Sequence, residues 1–250
     1  NVKFILEGEE EIGSPNLVNF LKDHKDLLRS DFALNTDAGM PRKDLPTITY
    51  GLRGLSYFEI RVFGPDHDLH SGSYGGVVHN PAQVLAELIS KMHDADGKVT
   101  LPGFYDLVAP LSQEEKTALS RYQVNDEEYC RQTGAPALWG EKGFSPLERI
   151  GSRPTLEVNG IISGFTGTGS KTIIPSKAMA KISTRLVPNQ KPKLVYEQLV
   201  SFMEKNAPHT VRWEIDQLST GSPSISDINM PASKALHKAF LETWGVDPAY

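Results

Sequence analysis

The feature that most constrains this chain is a switch in periodicity at Gly54. From there "LSYFEIRVF" alternates, placing Phe58, Ile60 and Val62 on one face, as a half-buried strand requires. Residues 81–92 change to a helical period, with Leu85, Leu88, Ile89 and Met92 as the apolar stripe. Two more strands are expected at "TLEVNGII" (155–162) and "KAMAKISTRLV" (177–187), then a helix over 193–205 and a strand at "TVRWEIDQL" (210–218). The order β, α, β, β, α, β is that of a ferredoxin-like domain, an antiparallel sheet with two helices on one face. The stretch 94–154, rich in Pro, Gly and charge, reads as an insertion between the first helix and the second strand.

The flanks follow a different pattern. "NVKFIL" and "DFALNTD" read as strands around a helix, with Ser14 as N-cap, Pro15 at the first helical position and Leu17, Val18 and Leu21 as its apolar face. Such a βαβ unit makes the strands parallel and gathers ligands at their carboxyl ends. "EGEEEIGS" (7–14) and Asp37 both fall there. A further helix is expected over 232–244. The expected fold class is therefore α/β: parts of an α/β domain at 1–53 and 219–250, with an α+β ferredoxin-like (βαββαβ) domain at 54–218 inserted between them.

Composition narrows the function. The 250 residues, 39% of them hydrophobic, are enough for a real core, and a net charge of −5 gives no basic footprint for a nucleic acid. No apolar run approaches membrane-spanning length. The single cysteine, Cys130, permits no internal disulfide and suits a reducing compartment, the cytoplasm by default. The chain starts at Asn1, directly in a strand-like run, and reads as a fragment.

The acids admit two readings. Adjacent carboxylates suit a metal hydrolase, one binding a cation while its neighbour takes a proton from water. They equally suit a solvated turn, and Asp37 equally suits the turn before Gly39. No histidine lies near either in sequence, so the local ligand set is incomplete. "GTGSKT" imitates a phosphate-binding loop and would offer a nucleotide-binding reading, but Ser170 intervenes between Gly169 and Lys171.

Several separated stretches together resemble the M20 metallopeptidases, a family of carnosine-type dipeptidases, glutamate carboxypeptidase and acetylornithine and succinyl-diaminopimelate deacylases. "EEIGS" (10–14) is similar to the family's Glu-Glu-x-Gly-Ser motif, which implies Glu10 as general base and Glu11 as a metal ligand. Asp37 in "NTDAG" resembles the acidic ligand of a second metal. "DLHSGSYGGVVHNPA" (68–82) resembles the lid-domain stretch whose histidine, here His70, reaches the partner subunit's active site. "GTGSKTIIP" and "AKISTRLVP" resemble the stretches that hold the substrate carboxylate, through Thr172 and Arg185. Without the motifs, His70 is a loop histidine and Arg185 a solvated sheet arginine; His67 and His79 are assigned no role.

The resemblance implies a zinc-peptidase-like catalytic domain with a lid and dimerisation domain, two divalent metal ions with zinc ahead of manganese or cobalt, and a homodimer through the lid. The implied substrate is a dipeptide or N-acyl amino acid with a free carboxylate, and neither a nucleic acid nor a membrane is an expected partner. The family's upstream His-x-Asp motif and its histidine near the carboxyl end have no counterpart in this sequence. A dimerisation or binding fragment without catalysis of its own is the other expectation.

Overall fold

The computed structural model describes residues 1–40, 42–122 and 125–250. They form two compact units, Asn1–Gly39 and Met40–Tyr250.

The larger unit is built on four antiparallel strands, β1 (Gly54–Phe63), β2 (Thr155–Ser163), β3 (Lys177–Leu186) and β4 (Arg212–Gly221), in the spatial order β2-β3-β1-β4. Helices α1 (Pro81–Ser90) and α2 (Pro192–Asn206) complete the expected βαββαβ order. The register follows from the pleat. β1 pairs with β3 from Gly54↔Leu186 to Phe63↔Lys177, and a one-residue slip would turn Phe58, Ile60 and Val62 out of the core. Those three pack with Leu85, Leu88 and Met92 from the α1 side and Leu199 and Met203 of α2, all essentially inaccessible to water. Each such side chain contributes about 1.5–3 kcal/mol of burial.

The opposite sheet face mixes charged side chains with partly exposed apolar ones such as Leu55 and Phe63. Arg61 bridges Glu59 and Asp216 at 2.8 and 2.7 Å, so β1 and β4 are also joined by charge on the solvent side. Asn80 caps α1 by accepting from the Ala82 N–H at 2.9 Å, with Pro81 at the first helical position.

The described residues of the stretch 94–154 contain three short helices, Gln113–Ser120, Asp126–Thr133 and Pro146–Gly151. Ser112 with Glu115 and Ser145 with Glu148 form capping boxes at two of them. The expected C-terminal helix spans Pro231–Trp244, and the chain beyond it returns to residues 46–48, with Ile48 N donating to Ala249 O at 2.8 Å. Among the described residues no helix is long and apolar enough to cross a membrane.

The smaller unit departs from expectation. It has helices at Leu17–Asp23 and Lys25–Leu28, but neither "NVKFIL" nor "DFALNTD" forms a strand. An extended segment becomes a strand only through a ladder partner. Among the described residues these two have none, and Phe4, Leu6, Phe32 and Leu34 stay exposed. The N-cap is Asn16 rather than Ser14, because a turn of 3₁₀ helix at Glu10–Ile12 delays the helix start. Val18 and Leu21 remain uncovered on it.

Candidate active site

The acidic stretch is a tight turn with an internal brace. Gly13, at φ 85°, closes the Glu10–Ile12 turn and donates to Glu10 O at 2.9 Å. The Glu9 carboxylate turns inward and accepts from Asn16 Nδ2 at 2.8 Å and from Asn16 N at 3.2 Å. Glu9 is therefore committed to holding the helix start. Glu10 and Glu11 are left pointing to solvent, with no hydrogen-bond partner among the described residues. Asp37 is set by Asn35, whose side chain accepts the Asp37 N–H at 2.8 Å, and its own carboxylate is exposed.

No three His, Cys, Asp or Glu side chains cluster closely enough to hold a metal ion among the described residues. Three protein ligands with one open position is the usual catalytic zinc arrangement. The residues present thus do not make a complete metal site, and Glu11 and Asp37 can supply only part of one.

In the larger unit, the segment around His70 is held at several points. Asp68 Oδ1 accepts from Ser176 N at 2.8 Å, Leu69–His70 forms a short antiparallel ladder with Ile173–Ile174, and Ser71 N donates to Thr172 O at 2.9 Å. These contacts bring His70 Nε2 to 3.1 Å from Thr172 Oγ1. The other ring nitrogen, Nδ1, accepts from Gly72 N at 3.1 Å. A neutral imidazole that accepts at Nδ1 carries its proton on Nε2. His70 is therefore set as an Nε2–H donor, and the Thr172 hydroxyl, which accepts from it, keeps its own proton to give.

Gly72 is what allows this geometry. A Cβ there would lie 2.8 Å from His70 Cε1 and 3.0 Å from Nδ1. Neither Gly72 nor Asp68 was singled out from sequence; the legible signal was a glycine two residues after the histidine, where only a bare Cα leaves room for the ring. His79 Nδ1 pairs with Thr210 Oγ1 at 2.7 Å, a contact between surface segments.

Arg185 lies apart from this pair. It is exposed near the far end of β3, opposite Leu55 and Thr155. Lys177 and Arg185 are eight residue steps apart on that strand, about 26 Å at the usual rise. Within one chain, Thr172 and Arg185 cannot touch the same small carboxylate. The "GTGSKT" stretch continues into the short strand Ile173–Ile174 rather than a helix, and Lys171 Nζ sits 4.7 Å above the Phe165 ring. It has no helix N-terminus to offer a phosphate.

Comparison with known proteins agrees with the fold and the family resemblance. The peptidase dimerisation domain of the M20 family matches residues 50–211. A Beta-Ala-His dipeptidase of Rattus norvegicus is 33% identical over 99% of this chain and 51% of its own length. A Cys-Gly metallodipeptidase of Candida albicans is 32% identical over 100% of this chain and 53% of its own. The crystal structure of an M20 family metallo-carboxypeptidase from Sulfolobus solfataricus superimposes with a TM-score of 0.81 at 34% identity, covering 97% of this chain and 55% of that one. The chain spans about half the length of the curated relatives it matches.

Proposed function

We propose, because this chain belongs to the M20 metallopeptidase family, that it is the part of a metal-dependent amide hydrolase that carries the general base, the lid and the substrate-carboxylate contacts. The proposed substrate is a dipeptide or N-acyl amino acid with a free carboxylate. Both dipeptidase relatives support that class.

The domain division follows the same reading: catalytic-domain segments at 1–53 and 219–250, and a lid and dimerisation domain at 54–218. Glu11 and Asp37 would each give a carboxylate to a pair of divalent ions, zinc ahead of manganese or cobalt, completed by donors from outside the described clusters. Since the described residues do not complete that site, the steps assigned here belong to the chain's own side chains. Glu10, free of any structural bond, accepts a proton from the attacking water and passes it to the leaving nitrogen as the amide C–N bond breaks. On substrate binding His70 would turn its one Nε2–H from Thr172 Oγ1 to the oxyanion. Thr172 and Arg185 hold the substrate carboxylate, the guanidinium as a two-pronged donor.

The observation that carries this reading is the separation of the His70–Thr172 pair from Arg185 along β3. If all three serve one substrate, they come from two chains: His70 and Thr172 from one protomer, Arg185 from the other. A homodimer through the lid supplies that arrangement and a monomer does not. The enzyme is read as cytoplasmic, with neither a nucleic acid nor a membrane as partner.

The test is hydrolysis of a panel of dipeptides and N-acyl amino acids by the full-length enzyme, with and without a chelator. Activity confined to substrates with a free carboxylate, lost on chelation and restored by zinc or manganese, supports the reading; hydrolysis of carboxyl-blocked substrates at equal rates would sink it. A second reading, that the 250 residues alone only bind and dimerise, is favoured by the absence of a three-donor cluster among the described residues. A dimeric mass in gel filtration with no hydrolysis at saturating metal would select it.

A further inference from the structure

Two guanidinium groups, Arg53 just before the lid and Arg185 within it, stand near each other with no carboxylate between them. Leu55 is paired with Arg185 across β1 and β3. Arg53 immediately precedes Gly54, which pairs with Leu186, the residue after Arg185, so the two arginines come from neighbouring segments. Arg53 is half-buried at the wall of a cavity of about 330 Å³ that is otherwise largely apolar, with Ile48, Leu52, Leu111 and Val187 among its lining.

Burial first, and then the charge of Arg185, depresses the Arg53 pKa below the ordinary arginine value, and no acid counters either. Glu157 is the carboxylate that the β2–β3 register brings nearest to Arg185, two pairs along at Ser183. It makes no ion pair with Arg185, and burial alone pushes its carboxyl up. Among the described residues, then, two like charges are held side by side, one of them half out of water, without a partner. That arrangement costs free energy unless an anion sits between them.

We propose that Arg53 is the second arm of the anion site whose first arm is Arg185, the two guanidiniums taking one carboxylate of the substrate between them. This deepens, and rests on, the assignment of Arg185 made above. One carboxylate has two oxygens and about four acceptor positions, enough for a fork from each side. The half-buried arm gives the stronger bond because less water competes for it. Arg53 also reaches the cavity wall, so the group next to the carboxylate has space to enter. The site therefore selects ligands with a free carboxylate and discriminates against the amide, which cannot neutralise the pair.

The 250-residue chain itself can be tested with N-acetylglycine and N-acetylglycinamide as probes, at fixed chloride, following the arginine Nε–Hε NMR signals. The acid is expected to shift the Arg53 and Arg185 signals with one shared dissociation constant, and the amide to shift neither. Arg53→Lys, which keeps the charge but not the fork, is expected to weaken binding roughly tenfold, the size of one charge-assisted hydrogen bond. A response of Arg185 alone, or unchanged affinity in a folded Arg53→Lys, would overturn the role of Arg53 and leave that of Arg185 standing. A response of neither would overturn both.

Discussion

Gly72→Ala separates the function of the His70 segment from its stability. The added Cβ would meet His70 Cε1 at 2.8 Å and Nδ1 at 3.0 Å, well inside ordinary contact. The ring is exposed and can swing away, so the cost is the loss of its hydrogen bonds to Gly72 N and Thr172 Oγ1, not a core rearrangement. Two exposed neutral hydrogen bonds are worth about 1–2 kcal/mol together. Alanine recovers up to about 1 kcal/mol in backbone propensity at a helical position, and Gly72 is not among the positive-φ glycines. Net destabilisation should stay near 1 kcal/mol or below, about 2–4 °C in Tm. The functional loss should be much larger, because a misplaced oxyanion donor costs about 10²–10³ in kcat. Melting, kcat of the full-length enzyme and the ¹⁵N shifts of His70 measure the three quantities. Wild-type kcat with an unchanged Nε2–H tautomer in Gly72→Ala would refute the claim that Gly72 sets the ring, as would a collapse in Tm.

Further expectations attach to other parts of the chain. Glu10→Gln in the full-length enzyme should keep its metal and lose about 10²–10⁴ in kcat, whereas Glu11→Gln should lose metal as well; elemental analysis beside kinetics distinguishes them. Glu9→Gln should loosen the helix start by about 0.5–2 kcal/mol, read as faster amide exchange at Asn16 and Leu17, because its carboxylate is spent on Asn16. Phe58→Ala, in the middle of the sheet core, should cost about 3–5 kcal/mol by denaturant unfolding. Burial depresses the His93 pKa below 6.5. The unfolded chain therefore binds more protons than the folded one as pH drops through 6.5, and stability falls there; the pH dependence of Tm between 7 and about 5 should be shallower in His93→Asn, and an unchanged slope would remove His93 as its source.

The central sheet was legible because its strands declare themselves: Phe58, Ile60 and Val62 alternate, and the core they meet is contributed by two helices with clear stripes. "NVKFIL" and "DFALNTD" have equally good strand composition, yet whether an extended run becomes a strand is decided by a ladder partner, which its own residues do not encode. The helix start moved to Asn16 for a related reason. Ser14 has the right chemistry, but the 3₁₀ turn before it leaves its backbone at φ 52°, not in the extended conformation a capping residue takes. The helices in 94–154 are mostly polar and short, so hydrophobic period is silent there, although the Ser112–Glu115 and Ser145–Glu148 boxes were readable.

Of the candidate site, the motifs carried Glu10, Glu11, Asp37, His70, Thr172 and Arg185 individually. Their grouping was not readable: the contact of His70 with Thr172, 102 residues apart in sequence, depends on the ladder between Leu69–His70 and Ile173–Ile174. The distance from Thr172 to Arg185 depends on strand length and direction. Arg53 carries no motif at all and emerges only from register and missing partners.

The account turns on two chains building each active site, and mixing two inactive variants of the full-length enzyme tests this most directly. Glu10→Gln lacks the proposed base and His70→Ala the proposed donor, so each homodimer should be inactive. After subunit exchange, half the dimers are hybrids and each hybrid has one site that combines an intact Glu10 with the partner's intact His70. Activity should return to about a quarter of wild type by that arithmetic. Persistent inactivity, with exchange demonstrated by differently tagged chains, would contradict the account.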